Sequence, residues 1–307
     1  MSPPAPARAG YVFAAITLLI WSSFVVMSRL GTQGTLTPYD ISALRIATAA
    51  AVLSPWWLPR LLDRSRRQLP GHQALIFALL AGISYPLVAY LGFRIAPASH
   101  GAVLISGMLP CFTSLLAWLL LGEAPTRQRL GGLLLILTGV ITLLISGMPS
   151  LHAGLATWPG DLLLLIASLL WSLFTVLLKY WQARAFDVTL AVSAVSAILY
   201  LPVFALFLPS HLAMAAWSEI LLQAFFQGFV VVCVAMWTYA RAVELLGSVR
   251  VVILMSGVPV AGVLLAVPVL GEPLTGGKLA GVILVCLGAA LGAWAQGRSA
   301  ALPSEGA

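Results

Sequence analysis

Charge is what this sequence has least of. Asp, Glu, Lys and Arg make up 8% of its 307 residues, against about 25% in soluble domains. A soluble fold of this length must cover its surface with polar groups, and this chain has too few of them. Cysteine is scarce too. Cys111, Cys233 and Cys286 sit inside apolar stretches, off metal-ligand spacing and too few for a disulfide framework, so they read as small buried hydrophobes. There is no His-Glu-x-x-His, no glycine-rich phosphate loop and no Ser/His/Asp set. No catalytic residue, metal or cofactor is therefore expected. His72, His100, His152 and His211 fall near the ends of apolar runs, positions where histidines are ordinarily solvated. No polar gap is long enough for a soluble domain. The alternation of a membrane β-barrel is absent, which leaves helices as the only backbone that satisfies itself in lipid.

What the sequence has is apolar length. Hydrophobic residues are 61% of the chain and mean hydropathy is +1.04. About 20 apolar residues span a bilayer as a helix, and ten such segments can be marked. They are 11–30, 39–58, 73–93, 98–121, 128–147, 160–181, 186–208, 217–243, 248–270 and 276–296. Turn residues fill the gaps: Gly31 to Pro38, Pro70-Gly71, Glu123-Ala124-Pro125, Pro149 to Pro159 and Pro209-Ser210. The run after Gly10 is too long for a signal-peptide core and reads as the first membrane helix. The net charge of +7 is spread over short loops, with no basic domain to hold nucleic acid. With the amino terminus inside, twelve of the sixteen basic residues lie on the inner side: Arg8, Arg60, Arg64, Arg66, Arg67, Arg127, Arg129, Lys179, Arg184, Arg241, Arg250 and Arg298. Arg29, Arg45, Arg94 and Lys278 lie at outer ends or within helices. That bias places both termini in the cytoplasm and the chain, multi-pass, in a cell inner membrane.

One stretch occurs twice. Pro110…Leu115-Leu116-Ala117…Leu121-Gly122-Glu123 returns as Pro259…Leu264-Leu265-Ala266…Leu270-Gly271-Glu272, at a constant offset of 149. Over residues 90–139 the same offset gives fifteen identities in fifty, among them Tyr90/Tyr239, Ser99/Ser248, Thr126/Thr275, Gly132/Gly281 and Gly139/Gly288. Earlier, Trp21-Ser22-x-Phe24 matches Trp171-Ser172-x-Phe174. Two related halves follow, 11–147 and 160–296. Each has five helices, and an odd number turns the second copy over, giving an inverted repeat.

These motifs, together with Leu44-Arg45 in the second segment, resemble the EamA-type members of the drug/metabolite transporter superfamily from about Tyr11 to Gln296. The resemblance implies a ten-helix transporter with a central cavity, often an exporter of amino acids or other small metabolites. It says little about cargo. His100 departs from the family pattern, which has a small residue there.

Candidate functional residues follow from polarity placed inside apolar runs. Pro110 and Pro259 each remove a backbone donor and break their helix. The small pairs Ser106-Gly107 and Ser256-Gly257 precede them, and together these form two candidate hinges. Arg45 lies about two turns into its segment. A central arginine costs roughly 2.5–3.5 kcal/mol, so it reads either as a fork for a substrate carboxylate or as a snorkelling side chain. Trp21 and Trp171 are about ten residues into their segments. With Tyr85, Trp237, Tyr90 and Tyr239 they are candidate cavity aromatics. Gln223, Gln227, Val231, Val234, Thr238 and Arg241 share one face at helical spacing, lining a pathway or gluing helices. Glu123 and Glu272 read as loop anchors, each accepting backbone N–H groups at the start of the helix that follows it. Asp40, Asp63, Asp161, Asp187, Glu219, Glu244 and Glu305 lie at or outside segment ends. Expected partners are a small-molecule substrate and the bilayer, with the chain a monomer or weak homo-oligomer. Rival readings are an exporter of lipophilic drugs and a non-transporting scaffold or sensor.

Overall fold

The computed structural model describes residues 5–63, 69–146 and 151–301. Arg64, Arg66, Arg67, Pro149, Ser150 and Glu305 lie outside the described residues, as do the side chains of His152 and Arg298. The described chain is helical without strands. It has ten segments long and apolar enough to cross a membrane: α1 (Arg8–Gln33), α2 (Pro38–Leu62), α3 (Gly71–Ile95), α4 (Ala98–Leu121), α5 (Arg127–Ser146), α6 (Ala156–Tyr180), α7 (Ala185–Phe207), α8 (Trp217–Leu246), α9 (Arg250–Leu270, its helix opening at Ser248) and α10 (Gly276–Ala293). Each agrees with an apolar run in the sequence to within a few residues. The protein is an integral membrane protein of two five-helix repeats.

Three segments are not purely α-helical. π-helix occupies Ala78–Ser84 in α3, Ala102–Gly107 in α4 and Ala224–Val234 in α8. The first ends at Tyr85-Pro86 and the second just before Pro110, where a missing proline donor favours the wider turn. In α8 the π-turn corrects the sequence reading. A turn of more than four residues delays the buried face, so beyond Val231 it runs through Ala235, Thr238, Ala242 and Leu246. Val234 is half-buried and Arg241 exposed, not inward as a uniform 3.6-residue period had placed them.

The repeats in sequence are not the units of packing. One compact unit comprises Met1–Val26, Pro97–Ala156 and Ala235–Ala307; the other comprises Met27–Ala96 and Thr157–Val234. Each draws on both repeats.

In the first unit α5 and α10 form the most extensive helix pair. Its seam is made of the repeated glycines. A Cβ on Gly132 would stand 2.6 Å from the Gly288 carbonyl oxygen, and one on Gly139 would stand 2.5 Å from that of Gly281. Seven residues up α5 correspond to seven residues down α10, so the pair is antiparallel. Because Gly132 matches Gly281 and Gly139 matches Gly288 in the repeat, exchanging the copies maps the pair onto itself. This is the local signature of inverted repeats.

The Leu-Gly-Glu motif ends α4 and α9 in the same way. Gly122 and Gly271 take left-handed conformations, φ +71° and +65°. Their N–H groups return to the Trp118 and Val267 carbonyls at 3.1 and 3.0 Å, an αL closure, and beyond them the Glu123 and Glu272 N–H groups reach the Ala117 and Ala266 carbonyls at 3.2 and 3.4 Å. The next helices are capped by the repeated threonines. The Arg129 N–H donates to Thr126 Oγ1 (3.3 Å) and the Lys278 N–H to Thr275 Oγ1 (3.2 Å). The sequence reading gave these N–H groups to Glu123 and Glu272; at both helix starts a threonine three residues closer accepts one of them. Thr275→Ala should lower stability by about 1 kcal/mol, read as a small drop in melting temperature in detergent.

In the second unit α2 packs against α7 and α8. Gly228 lets the α8 backbone approach α2, since a Cβ there would lie 3.0 Å from the Arg45 carbonyl oxygen. The entrance of α2 is fixed by Asp40, which is fully buried. Its carboxylate accepts from the Thr37 N–H (2.8 Å), Thr37 Oγ1 (2.8 Å), Ser210 Oγ (2.6 Å) and the His211 N–H (3.0 Å). It therefore joins a capping box on α2 to the α7–α8 loop. Asp40→Ala should cost about 2 kcal/mol or more, because several buried donors lose one acceptor together. A melting temperature within a degree of the parent would contradict that role.

Candidate functional site

The structure brings five of the ten candidate binding residues together in the second unit. Arg45, on the third turn of α2, is buried at 8% exposure. Its guanidinium lies within electrostatic reach of the phenols of both Tyr85 and Tyr90. Tyr90, fully buried, donates its hydroxyl to Gln227 Oε1 at 3.1 Å. Gln227 Nε2 continues to Ser28 Oγ (3.3 Å) and Gln223 Oε1 (3.4 Å), and Gln223 Nε2 reaches the Met27 carbonyl (3.1 Å). Trp171 stacks obliquely on Tyr85 with ring centroids 4.7 Å apart. A cavity of about 40 Å³ opens beside Arg45, lined also by Gly82, Ser193, Ser196 and Val232. That volume holds one or a few waters. The result is a cation, two phenols, an indole and small hydroxyls gathered inside an apolar helix cluster. Ser28, Ser193 and Ser196 went unnoticed in the sequence, where an isolated serine in an apolar run carries no signal of its own.

The remaining candidates fall in the first unit. Trp21 lies against Tyr239, centroids 5.2 Å apart and both half-buried. Trp237 meets Phe13 edge-on at 5.3 Å but is 57% exposed. Thr238, next to it in sequence, faces inward. Buried Thr238 pairs with Thr17 across 2.8 Å. The polar face of α8 thus binds α1 at both levels, through Gln223 and Gln227 in one unit and Thr238 in the other.

The proline-broken helices also lie in the first unit. α9 splits between Met255 and Val258, with Ser256-Gly257 as the turn and Pro259 in the first turn beyond. α4 changes from π-helix at Gly107 to α-helix at Leu109, with Pro110 just inside. Both breaks fall at the Ser-Gly pairs marked in the sequence. Local groups serve the α9 break: Ser22 Oγ lies 3.3 Å from the Val258 carbonyl, and Cys286 Sγ donates to the Ser256 carbonyl at 2.9 Å. Cys286 is therefore more than a filler of apolar space. Ser106 and Ser256 are half-buried at these breaks.

Glu272 has a partner that the sequence did not reveal. Its carboxylate accepts from the Ala98 N–H (2.6 Å) and the Ser99 N–H (3.0 Å), at the start of α4. Lys278, 5% exposed, places Nζ 3.5 Å from Ser99 Oγ. His100 is buried at 2% in the same turn, which corrects its reading as a solvated side chain. Among the described residues no group of three or more His, Cys, Asp or Glu is placed to hold a metal ion.

Comparison with known proteins agrees with this architecture. The chain is 23% identical over 268 residues to a protein of Bacillus subtilis (strain 168) named "Uncharacterized transporter YyaM", covering 84% of this chain and 85% of that one. It is 26% identical over 173 residues to an "Uncharacterized transporter" of Archaeoglobus fulgidus, covering 54% and 56%. A solved structure titled only "Crystal structure of protein" shares the fold with a TM-score of 0.62 at 21% identity, over 95% of this chain and 99% of that one. The EamA-like transporter family matches residues 8–145 and again 158–293. Ten membrane-spanning helices, an inverted pair of five-helix copies and two family matches in tandem make this chain a member of the EamA-like transporter family.

Proposed function

We propose that this protein exports a small carboxylate-bearing metabolite such as an amino acid across the cell inner membrane, by alternating access, with both termini in the cytoplasm. The observation that carries the cargo class is Arg45, a buried guanidinium beside Tyr85, Tyr90 and a small cavity edged by Ser193 and Ser196. A guanidinium presents a planar fork that matches a carboxylate with two parallel hydrogen bonds. The indole of Trp171 and the phenol of Tyr85 suit an apolar or aromatic body next to that head group. A cavity of about 40 Å³ is too small for such a molecule, so loading requires the cluster to open. Pro110 and Pro259, with Gly107 and Gly257, supply helix breaks where the chain can bend. Twelve of sixteen basic residues on one side support the orientation.

The test compares matched pairs in proteoliposomes. An amino acid and its amide or methyl ester differ at the head group alone. The carboxylate members should compete with labelled substrate at least tenfold better than their neutral partners. Equal competition by both would overturn the cargo assignment and favour an exporter of lipophilic compounds. Uptake into inside-out vesicles, absent from right-side-out ones, would support export.

A further inference from the structure

A second cavity, of about 170 Å³, lies in the second unit between the end of α2 and the starts of α3 and α7. On α7 it follows Asp187, Leu190, Ala191 and Ala194. At helical spacing these share one face, opposite to Ser193 and Ser196 beside Arg45. Asp187 and Ala194 are seven residues apart, so the cavity runs roughly 10 Å into the membrane from the helix start. Room exists because alanines stand at 191 and 194, where longer side chains would close the gap. The mouth is charged. Arg60 Nη2 lies 3.4 Å from Asp187 Oδ1, and the same guanidinium lies 5.6 Å from the centre of the Phe186 ring. Asp187 stands in the first turn of α7, where a carboxylate favours the helix dipole. Below the mouth the wall is apolar, with Leu69, Leu190 and the Trp57 ring.

We propose that this cavity holds one phospholipid of the surrounding membrane. A zwitterionic, amine-bearing head group of the phosphatidylethanolamine type sits on the Arg60–Asp187 pair, and part of an acyl chain lies along Leu190 and Ala194. Depth and polarity point to an amphiphile. The charged mouth is at the membrane surface, where α2 ends and α3 and α7 begin, and the apolar wall lies beneath it. Water suits the mouth but not the wall, which offers it no set of polar partners. A void there would forfeit dispersion contacts on every side, and an apolar cavity of about 150 Å³ takes a group the size of benzene. Lipid chains are the apolar groups at hand in a bilayer. The head group follows from the charges. Arg60 and Asp187 together are neutral, so a purely anionic head group loses at the carboxylate what it gains at the guanidinium. Phosphoethanolamine carries both signs a few bonds apart: its phosphate takes the guanidinium fork, and its ammonium donates to Asp187. A choline head group has the same charges but no N–H to donate. Both protein side chains keep contact with the outside at the mouth, Arg60 at 30% exposure and Asp187 at 11%. The site is independent of the cargo assigned to Arg45, since the two cavities lie on opposite faces of α7.

Native mass spectrometry tests it, on the full-length chain in mild detergent, stripped of co-purified lipid and titrated with palmitoyl-oleoyl lipids. Affinity for the first lipid should be about tenfold higher for phosphatidylethanolamine than for phosphatidylcholine or phosphatidylglycerol, the worth of a charge-assisted hydrogen bond at Asp187. Equal affinity for all three, or a preference for phosphatidylglycerol, would overturn the head-group assignment. Asp187→Asn removes the carboxylate charge and leaves Arg60, so this variant should prefer phosphatidylglycerol to phosphatidylethanolamine. An ion pair that only ties α2 to α7 would lower the melting temperature in that variant and leave the lipid preference as in the parent, which would overturn the proposal. Ala191→Leu fills the cavity without touching either charge. Its affinity for phosphatidylethanolamine should fall about tenfold, as expected where a lipid and an added side chain compete for one space. No fall would place the bound lipid elsewhere on the protein and overturn the site, and this variant decides the matter where Asp187→Asn does not fold. A failure of the cargo assignment leaves these lipid affinities unchanged, so the two proposals fail separately.

Discussion

Gly139→Val should remove most of the folded protein. Detergent-solubilised variant should show a monodisperse peak reduced several-fold on fluorescence-detected size exclusion, with the remainder aggregated. The reason is geometric. A first side-chain carbon on Gly139 would already stand 2.5 Å from the Gly281 carbonyl oxygen and 2.7 Å from the Val285 nitrogen. Both are backbone atoms of α10, which cannot move aside as a flexible side chain can. Separating two helices by even one methyl group removes dispersion contacts along the whole seam, and in lipid no hydrophobic gain between helices offsets the loss. Overpacking of this kind costs about 1–3 kcal/mol per site in well-packed cores, and α5 against α10 is the largest helix contact of its unit. Gly131→Val provides the control. Gly131 adjoins the seam in sequence, yet an added Cβ there meets nothing within 4 Å, so its folded yield should match the parent. Equal loss in both variants would mean that valine in α5 is itself harmful and that the seam is not the cause.

The sequence carried much of this architecture because the lipid environment imposes strong and local constraints. Helix length is set by bilayer thickness, and the repeated glycines, prolines and Leu-Gly-Glu endings each encode a backbone event within a few residues of themselves. Gly122 and Gly271 are C-caps because only a residue tolerant of positive φ closes the helix there. Two features escaped the sequence for identifiable physical reasons. The inward face of α8 was misjudged beyond Val231 because periodicity arguments assume 3.6 residues per turn, whereas eleven residues there are π-helical. The partner of Glu272 lies 174 positions away at Ala98, and no local pattern encodes which helix start a carboxylate will meet. In the candidate site the signal was sharpest for Arg45, since a charge in an apolar run must be compensated. It was weakest for Ser28, Ser193 and Ser196, which cost little in a membrane helix and so are unremarkable until their neighbours are known.

Arg45→Ala should abolish most transport while leaving the protein folded. If a substrate carboxylate takes two charge-assisted hydrogen bonds from the guanidinium, each worth about 1.5–3 kcal/mol, losing both weakens binding by at least about 3 kcal/mol, or more than a hundredfold. The expected result is a corresponding fall in substrate affinity by binding or counterflow. Stability should move the other way or not at all. Placing an arginine deep in a membrane helix costs roughly 2.5–3.5 kcal/mol, and alanine removes that cost. Tyr90 keeps its hydrogen bond to Gln227 Oε1 at 3.1 Å in the variant, so its buried hydroxyl is not orphaned. Arg45→Lys should fall between the two, because it keeps the charge but loses the planar fork. The dissociation of transport from stability decides between the two readings of this residue. An arginine retained to tie α2 to α3 and α8 would lower the melting temperature when removed and leave the affinity of the surviving protein unchanged. A substrate anchor would do the reverse.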